Sequence, residues 1–500
     1  MKKHLWLILC VFVLMLTGCT TTLPASDVHT VDDLPGKKIG VQIGTTGDIY
    51  STDYEGDEAG TVIERYNKGA DAISSLKNGK LDCVIIDEQP AIAFVNKNSD
   101  LSILNEEFVI EDYAICVSKQ NPELTMDINE ALAQLKENGT LDKIINNYIA
   151  DEEYQYVSPE GLDYSNGTLT MATNATFPPY EYYEGGEIVG IDADLMQAIA
   201  DILNKELIIM DIDFDAIITA VQGGKADVGA SGMTVTEDRK KNIDFTDTYT
   251  TSKQVIIVRN GNPQPLPTME ELIESFKENL HQTFIEDNRY QYFVTGLQNT
   301  LIIAACAVLL GLVLGFFIAV IRTTHDKEGT LNVLNFFCQI YLTVIRGTPT
   351  MIQLLIIFYV IFASSNNKLL VAILSFGINS GAYIAEIIRG GIMSLDDGQF
   401  EGARSLGLTH TQTMLYIVLP QTFKNTLPAL ANEFIVLIKE TSISAYIGLQ
   451  DLTMAGNIVR GLTYEAFFPL VSVACIYLFI ILILSALVSK LEKSLKKNER

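Results

Sequence analysis

Hydrophobic residues are spaced differently in the two parts of the chain. Up to about residue 290, short apolar runs of strand length alternate with segments of helical length, which predicts an α/β fold. Beyond residue 290, longer apolar runs approach the length of a membrane-spanning helix. Thr300–Ile321, Gly347–Asn367 and Phe467–Ser489 are uncharged, whereas Leu369–Ile388 and Thr426–Ala445 contain charged residues. The pattern predicts an all-α transmembrane domain with about five helices, over residues 291–495.

Residues 1–19 have the pattern of a secretion signal. Lys2 and Lys3 precede an apolar stretch, Leu5–Leu16, that is too short to span a bilayer. It ends in Leu16-Thr17-Gly18-Cys19, which resembles a bacterial lipobox and implies lipidation of Cys19. A plain signal peptide with an incidental cysteine is the alternative. Both interpretations place the α/β part outside the cytoplasm and the chain in a bacterial cell membrane.

The overall charge limits the classes of partner. The chain has 61 Asp and Glu against 35 Lys and Arg, a formal net charge of −26. Nucleic-acid binding needs clustered basic residues, so a nucleic-acid partner is not expected. Basic residues from Lys490 to Arg500 follow the last apolar run and predict a cytoplasmic C-terminus, because positive charge is retained inside.

Cysteine and histidine predict neither a disulfide framework nor a metal site. Beyond Cys19, the exported part contains only Cys83 and Cys116, both in apolar, strand-like runs. We expect buried free thiols, with a bridge between them left open. The sequence shows no zinc-like spacing and only 5 His, so no metal and no cofactor are predicted.

A motif between the third and fourth apolar runs carries the most specific signal. Residues Glu401-Gly402-Ala403, Gly407 and Ile417-Val418-Leu419-Pro420 match, in spacing, the EAA loop of bacterial importer permeases, here residues 398–422. The resemblance implies two short helices joined at a glycine turn that dock on a separate ATPase. A plain amphipathic linker is the alternative. Arg346-Gly347-Thr348-Pro349 and Ala382-Tyr383 resemble signatures of polar amino-acid ABC permeases, the histidine, glutamine and arginine branch.

The chain contains no phosphate-binding loop of its own. No G-x-x-x-x-G-K-[ST] run occurs in the sequence, so ATP hydrolysis is assigned to another polypeptide. No nucleophile is paired with a base, and the chain is therefore expected to be a transport subunit rather than an enzyme.

Residues 167–260 resemble the first lobe of family 3 type solute-binding domains, which bind amino acids. The run from Ser231 to Arg239 carries this resemblance, with Thr236 as a good N-cap. It implies that Arg239 grips an α-carboxylate, as a planar guanidinium can; a surface arginine is the alternative. The implied ligand contacts in this lobe are Asn174, Phe177, Phe214, Ser231, Gly232, Thr234 and Arg239. Asn174 carries no charge, which favours a neutral polar ligand such as glutamine.

Residues 28–150 resemble the other lobe and the C-terminal helices of the same fold. Gly44-Thr45-Thr46-Gly47 forms a glycine-flanked turn, in which Thr45 and Thr46 suit a carboxylate. The resemblance places Asp87 against the ligand's α-ammonium. A helix N-cap is the alternative role for Asp87.

The two lobes occur in reversed order relative to the family. Residues 151–166 would then link the two positions that are the C- and N-termini of the domain in the usual family order. Residues 261–290 would tether the domain to the membrane part. One circularly permuted, periplasmic-binding-protein-like α/β domain is expected, with hinge strands near Tyr113–Ser118 and Gln254–Val258. Two orphan half-domains are the alternative.

These resemblances together imply the permease of an ATP-driven amino-acid importer with a fused binding domain. Its expected partners are an amino acid, a separate ABC ATPase, the membrane and a second copy of the chain, because five spans make only half a pore. A ligand-gated channel with the same two-lobed fold is the rival. That class needs a pore loop and spans inserted between the lobes, and the sequence shows neither.

Overall fold

The computed structural model describes residues 24–56, 58–150, 153–261, 269–363, 365, 367–463 and 467–497. The predicted signal peptide and Cys19 lie outside the described residues. Residues 151–152 of the predicted linker and 262–268 of the predicted tether lie outside them as well.

The strands belong to two five-stranded sheets and one three-stranded sheet within the described ranges. In chain order they are β1 (Lys38–Gln42), β2 (Val62–Tyr66), β3 (Cys83–Asp87), β4 (Leu101–Tyr113), β5 (Cys116–Val117), β6 (Thr168–Thr173), β7 (Thr176–Phe177), β8 (Glu181–Glu184), β9 (Glu187–Val189), β10 (Glu206–Asp211), β11 (Val228–Gly229), β12 (Asp244–Phe245) and β13 (Thr250–Arg259).

The helices divide between the α/β part and the helical region. In the α/β part they are α1 (Thr46–Ser51), α2 (Gly69–Lys77), α3 (Glu88–Lys97), α4 (Pro122–Glu137), α5 (Thr140–Ile149), α6 (Ile191–Ile202), α7 (Ile217–Gln222) and α8 (Glu237–Lys240). The helical region contains α9 (Met269–Phe284), α10 (Tyr290–Glu328), α11 (Asn332–Gly347), α12 (Thr350–Ile356), α13 (Lys368–Met393), α14 (Asp397–Ser405), α15 (His410–Thr413), α16 (Leu419–Glu440), α17 (Leu452–Thr463) and α18 (Phe467–Lys497).

Lobe A is built on the sheet β2-β1-β3-β13-β4. Strands β1, β2 and β3 are parallel, and β13 runs antiparallel to β3 and β4. β3 is buried along its whole length, as expected for a central strand covered on both faces. Val84 packs with Leu76 and Phe94 on one face, and Ile85 packs with Ile39 on the other.

Lobe B is built on the sheet β10-β6-β11-β5-β12. Its parallel strands β10, β6 and β11 meet the antiparallel β5, which pairs with β12 in turn. Helices α4 and α5 pack on this lobe, where Ile128 and Leu132 share a core with Leu169 and Ile199.

The chain passes between the lobes at two places. β4 ends at Tyr113 in lobe A and β5 begins at Cys116 in lobe B, where the first hinge is predicted. β12 ends at Phe245 in lobe B and β13 begins at Thr250 in lobe A. The second crossing therefore precedes the predicted hinge at 254–258, because that apolar run completes the lobe A sheet.

Cys83 and Cys116 are buried free thiols in different sheets. Burial raises the pKa of the Cys116 thiol to about 12. A thiol held protonated in this way is a poor nucleophile, so both residues act as small core side chains.

The helical region has the length and composition of a multi-pass membrane protein. Glu286–Glu328, Lys368–Met393 and Phe467–Leu495 are long and apolar enough to cross a membrane. Asn332–Gly347 and Thr350–Ile361 form a pair bent by 108°. The predicted run Gly347–Asn367 begins at that bend, where Pro349 cannot continue a helix. The predicted run 426–445 begins in α16, which packs against α13 but is not among the described helices that are long and apolar enough to cross a membrane.

Candidate functional site

The residues predicted to bind a ligand lie together in one cleft between the lobes. Lobe A contributes Thr45, Thr46 and Asp87, and lobe B contributes Asn174, Phe177, Phe214, Ser231, Gly232, Thr234 and Arg239. The hydroxyl oxygens of Thr46 and Thr234 are 3.4 Å apart, and the cleft encloses about 10 Å³, room for a water molecule. The lobes are therefore closed against each other, and a larger ligand enters only when they separate.

Arg239 is held at the cleft by the start of a short helix. Thr236 caps α8 by accepting a hydrogen bond from the Arg239 amide, as its sequence position predicts. The guanidinium donates to the Thr234 carbonyl at 2.7 Å and, across the cleft, to the Gly44 carbonyl at 2.8 Å. Only 6% of the residue is exposed, which rules out the alternative of a surface arginine. Burial lowers the pKa of Arg239.

Asp87 does not serve as a helix cap. It precedes α3, but its side chain makes no capping hydrogen bond. The carboxylate instead accepts a hydrogen bond from the Tyr113 hydroxyl, and the residue is 5% exposed. Burial raises the pKa of Asp87 well above its usual value, and the neighbouring Glu111 raises it further. A cationic ligand group would relieve this cost, because a buried carboxylate is stabilised by a paired charge.

The glycine turn of lobe A is partly satisfied by its own residues. Thr45 caps α1 by accepting from the Asp48 amide at 3.4 Å, and the Gly44 amide donates to the Asp48 carboxylate at 2.9 Å. Asp48 in turn accepts from Arg65 at 2.7 Å. The Gly44 amide is therefore already in use, and the buried Thr46 is the residue of the turn that meets Thr234 of lobe B.

Three polar residues near the cleft were not identified from sequence. Gln42, at the end of β1, lines it. Glu111 of β4 is 3% exposed and accepts a hydrogen bond from Gln254 of β13 at 3.1 Å, while its other oxygen has no partner. Gln254 also donates to the Thr46 hydroxyl at 3.3 Å. β4 carries Glu111 and Asp112 in succession, and alternation alone does not say which faces the cleft.

Buried carboxylates of lobe B position the loop from Ser231 to Thr234. Glu181 accepts from the Ser231 hydroxyl at 2.6 Å, and Asp192 accepts from the Gly232 amide at 2.7 Å. Burial raises the pKa of Asp192 to about 6. The loop is also bonded to the hinge, because the Ala114 amide donates to the Met233 carbonyl at 3.0 Å. A change at the hinge is therefore transmitted directly to the cleft.

Asn174 is anchored by its neighbours. Its side-chain amide donates to the Ile212 carbonyl and its oxygen accepts from the Thr176 hydroxyl, both at 2.8 Å. The amide group is thus held in one orientation at the wall of the cleft.

The predicted coupling loop consists of two short helices, α14 and α15, separated by a turn at Gly407. Gly407 has φ +85°, a left-handed conformation that favours glycine, and a side chain there would meet open space. Glu401, Gly402 and Pro420 are exposed, Leu419 is half-buried and Ala403 is buried. Leu406, beside the turn, is 85% exposed. The loop therefore presents both polar and apolar groups on the surface of this chain.

An ion pair and a second polar contact tie the coupling loop to the bundle. Lys327 of α10 lies 3.2 Å from Asp397 of α14, and Glu328 lies 2.9 Å from His410 of α15. Between the loop and the end of α10 is a cavity of about 450 Å³. The loop is held at the end of the bundle where α10 and α13 finish, while the lobes contact the end where these helices begin.

Comparison with known proteins finds a solute-binding family and amino-acid transport permeases. The family model of bacterial extracellular solute-binding proteins, family 3, matches residues 169–444. The arginine transport permease ArtQ of Bacillus subtilis is 34% identical over 211 residues, which cover 42% of this chain and 94% of ArtQ. The glutamine transport permease GlnP of Escherichia coli K12 is 33% identical over 207 residues, which cover 41% of this chain and 92% of GlnP.

The chain belongs to the amino-acid ABC transport permeases and to the family 3 solute-binding proteins. The permease is accordingly a transport subunit rather than an enzyme, as predicted. Among solved structures, an amino-acid ABC transporter described with histidines is 40% identical, with a TM-score of 0.39, and the match covers 42% of this chain and 98% of that one.

The described part of the permease offers no ready metal site. In these residues no group of three or more His, Cys, Asp or Glu side chains is arranged to hold a metal ion.

Proposed function

We propose that this permease binds an amino acid in the cleft between lobes A and B and imports it with energy from a separate ATPase. The ligand's α-carboxylate would pair with Arg239 and its α-ammonium with Asp87. The observation that carries the proposal is that one closed cleft gathers the predicted residues from segments more than a hundred residues apart. Opposite charges at the two ends of the cleft suit a zwitterion.

We propose further that the lobes form one binding domain in reversed order, so that no second polypeptide completes the cleft. Support comes from strand pairing between the two halves of the domain. β13, from the second half, pairs with β3 and β4 from the first half. β5, from the first half, pairs with β11 and β12 from the second half. Lobe closure about the two crossings would favour the bound state, because the ligand contacts both lobes only when they meet.

The ATPase is proposed to dock on the loop that contains Glu401, Gly402, Ala403, Gly407, Leu419 and Pro420. The exposed Leu406 and the adjoining cavity supply an apolar anchor and a recess, as docking surfaces require. The loop lies at the bundle end remote from the lobes, which supports an extracytoplasmic binding domain and a cytoplasmic ATPase. The pore is proposed to form between two copies of the chain.

The proposed ligand is a neutral polar amino acid such as glutamine. The uncharged Asn174 favours it, and glutamine is named for one of the relatives. A basic amino acid is the second candidate, because the unpartnered oxygen of Glu111 leaves a second carboxylate beside the cleft. A ligand-gated channel finds less support, since the coupling loop has no role in one.

Calorimetric titration of the full chain in nanodiscs with L-glutamine, L-arginine and L-histidine tests the proposal. We expect saturable binding of one amino acid per chain. Arg239→Ala and Asp87→Asn should each weaken it at least about 30-fold, since losing one partner of a buried pair costs about 2 kcal/mol or more. Arg404→Ala, an exposed arginine of the coupling loop, is the control and should bind normally. Unchanged binding by both cleft variants would refute the assignment.

A further inference from the structure

The α/β domain rests on the helical region through both lobes. From lobe A, Asp71 pairs with Arg460 of α17, with oxygen–nitrogen distances of 2.8 and 3.2 Å. From lobe B, Lys225 donates to the carbonyls of Phe358, Phe362 and Ser365 at 3.1, 3.2 and 2.9 Å. These contacts hold both lobes against the helical region.

Two further cavities continue from the cleft toward the helical region. The first shares Gln42 and Phe177 with the cleft, and it shares Lys68 and Arg460 with the second. The second, here called the junction cavity, has a volume of about 220 Å³, compared with about 10 Å³ for the closed cleft. Lobe A, lobe B and the helical region all line it, through Lys68, Asp71, Asp213, Tyr446, Asn457 and Arg460.

The junction cavity holds a buried ammonium group to which no neighbour is hydrogen-bonded. Lys68 is 9% exposed, and within the described residues its ammonium has no hydrogen-bond or ion-pair partner. Arg460 is 6% exposed and pairs with Asp71, but its Nε has no partner. Burial lowers the pKa of Lys68 and the neighbouring Arg460 lowers it further, whereas Asp211, Asp213 and Asp71 raise it. The cavity is therefore lined by charges of both signs, and the ammonium of Lys68 is costly to bury until an anionic group binds it directly.

We infer that the junction cavity is a second, transient site for the transported amino acid between cleft and pore. Lys68 and Arg460 would receive the α-carboxylate that Arg239 releases, and Asp213 would accept the α-ammonium. The inference rests on the proposed function, since it takes the ligand of the cleft as its own. Asp213 in the same cavity favours a zwitterion over inorganic phosphate or a lipid headgroup phosphate, because a carboxylate repels a simple anion.

Variants of Lys68 separate this role from the binding site of the cleft. Proteoliposomes that contain the full chain and its ATPase would be assayed for ATP-driven uptake of L-glutamine and, in parallel, L-arginine. Lys68→Met should keep cleft affinity within about twofold and the same Tm, while maximal uptake falls at least about tenfold, the equivalent of about 1.4 kcal/mol. Lys68→Arg should restore most of the uptake, because the charge is kept. Lys80→Met, an exposed lysine of the same lobe, is the matched control.

The possible outcomes distinguish the two proposals. Normal uptake by Lys68→Met, with cleft binding intact, would overturn the junction site and leave the proposed function standing. Loss of cleft affinity or of Tm in Lys68→Met would assign Lys68 to the cleft or to folding and overturn the inference as well. Failure of the unaltered chain to bind either amino acid would refute the proposed function itself.

A comparison of two lipid compositions tests whether a lipid phosphate, rather than the transported amino acid, binds in the junction cavity. The Lys68→Met defect should be equal in vesicles of phosphatidylcholine alone and in vesicles that also contain phosphatidylglycerol. A defect confined to the anionic vesicles would assign the cavity to a lipid phosphate instead.

Discussion

The two ends of the helical region use charged residues in opposite ways. At the end that meets the lobes, Lys225 and Arg460 are buried and bonded to groups more than a hundred residues away. At the coupling-loop end, Lys327 forms an ion pair with the exposed Asp397, and Leu406 lies open to solvent. The first end is a joint completed within one chain, whereas the second leaves a surface on which another protein could dock.

Substitution of a glycine at each end should show this difference most strongly. Gly448 has φ +64°, and an added Cβ would lie 1.6 Å from the Asp211 carbonyl oxygen of lobe B. Gly448→Ala should cost about 2–5 kcal/mol, from overpacking together with the left-handed conformation. The Tm should fall accordingly, and the rate of amide hydrogen exchange in β10 should rise.

Gly407→Ala is the matched control for that experiment. Gly407 is equally left-handed but has open space around it, so the change should cost only about 1–2 kcal/mol and leave exchange in β10 unaltered. Equal effects of the two substitutions would contradict the description of the lobe end as a close-packed joint.

Removal of one lysine at each end should give the next largest contrast. Lys225→Met loses three charge-assisted hydrogen bonds to carbonyls at the end of a helix and should destabilise the lobe contact by about 1.5–3 kcal/mol. Lys327→Met loses a pair whose Asp397 side chain is 86% exposed, and should cost less than about 1 kcal/mol. Denaturation of both variants in the same nanodiscs measures the two losses. A larger loss for Lys327→Met would reverse the comparison.

The smallest effect on stability is expected at Leu406. Because its side chain is 85% exposed, Leu406→Ser should change the stability of the isolated chain by less than about 0.5 kcal/mol. Co-purification with the ATPase should nevertheless weaken, since an exposed apolar anchor would be lost from the docking surface. Leu280→Ser, at an exposed leucine of α9 outside residues 398–422, is the control and should leave ATPase capture unchanged. ATPase capture unchanged in Leu406→Ser would count against this docking surface.

Local motifs account for what the sequence revealed about the cleft. Arg239 and its cap Thr236, and the turn before Thr46, are each specified within a few residues, so their places could be predicted before the lobes were assembled. Glu111 and Gln254 lie on long strands whose alternation does not identify the face that meets the cleft. Their role depends on pairing between β4 and β13, which local sequence does not encode.

The joint between lobes and permease could not be predicted for a related reason. Asp71 and Arg460 are 389 residues apart, and neither lies in a recognisable motif. Lys68 faces a cavity that is lined by three segments far apart in the chain, and no local pattern around it indicates this. Hydropathy located the three long apolar helices but not the 108° bend at Gly347, because a run of apolar residues does not reveal a break at Pro349.

This chain is proposed to supply both the binding site and the permease of one importer. The decisive experiment is reconstitution of the chain with its ATPase alone, followed by measurement of ATP-driven amino-acid uptake. We expect uptake without any added solute-binding protein, and we expect Arg239→Ala to abolish it. Uptake that requires an added binding protein, and that survives Arg239→Ala, would refute the proposal.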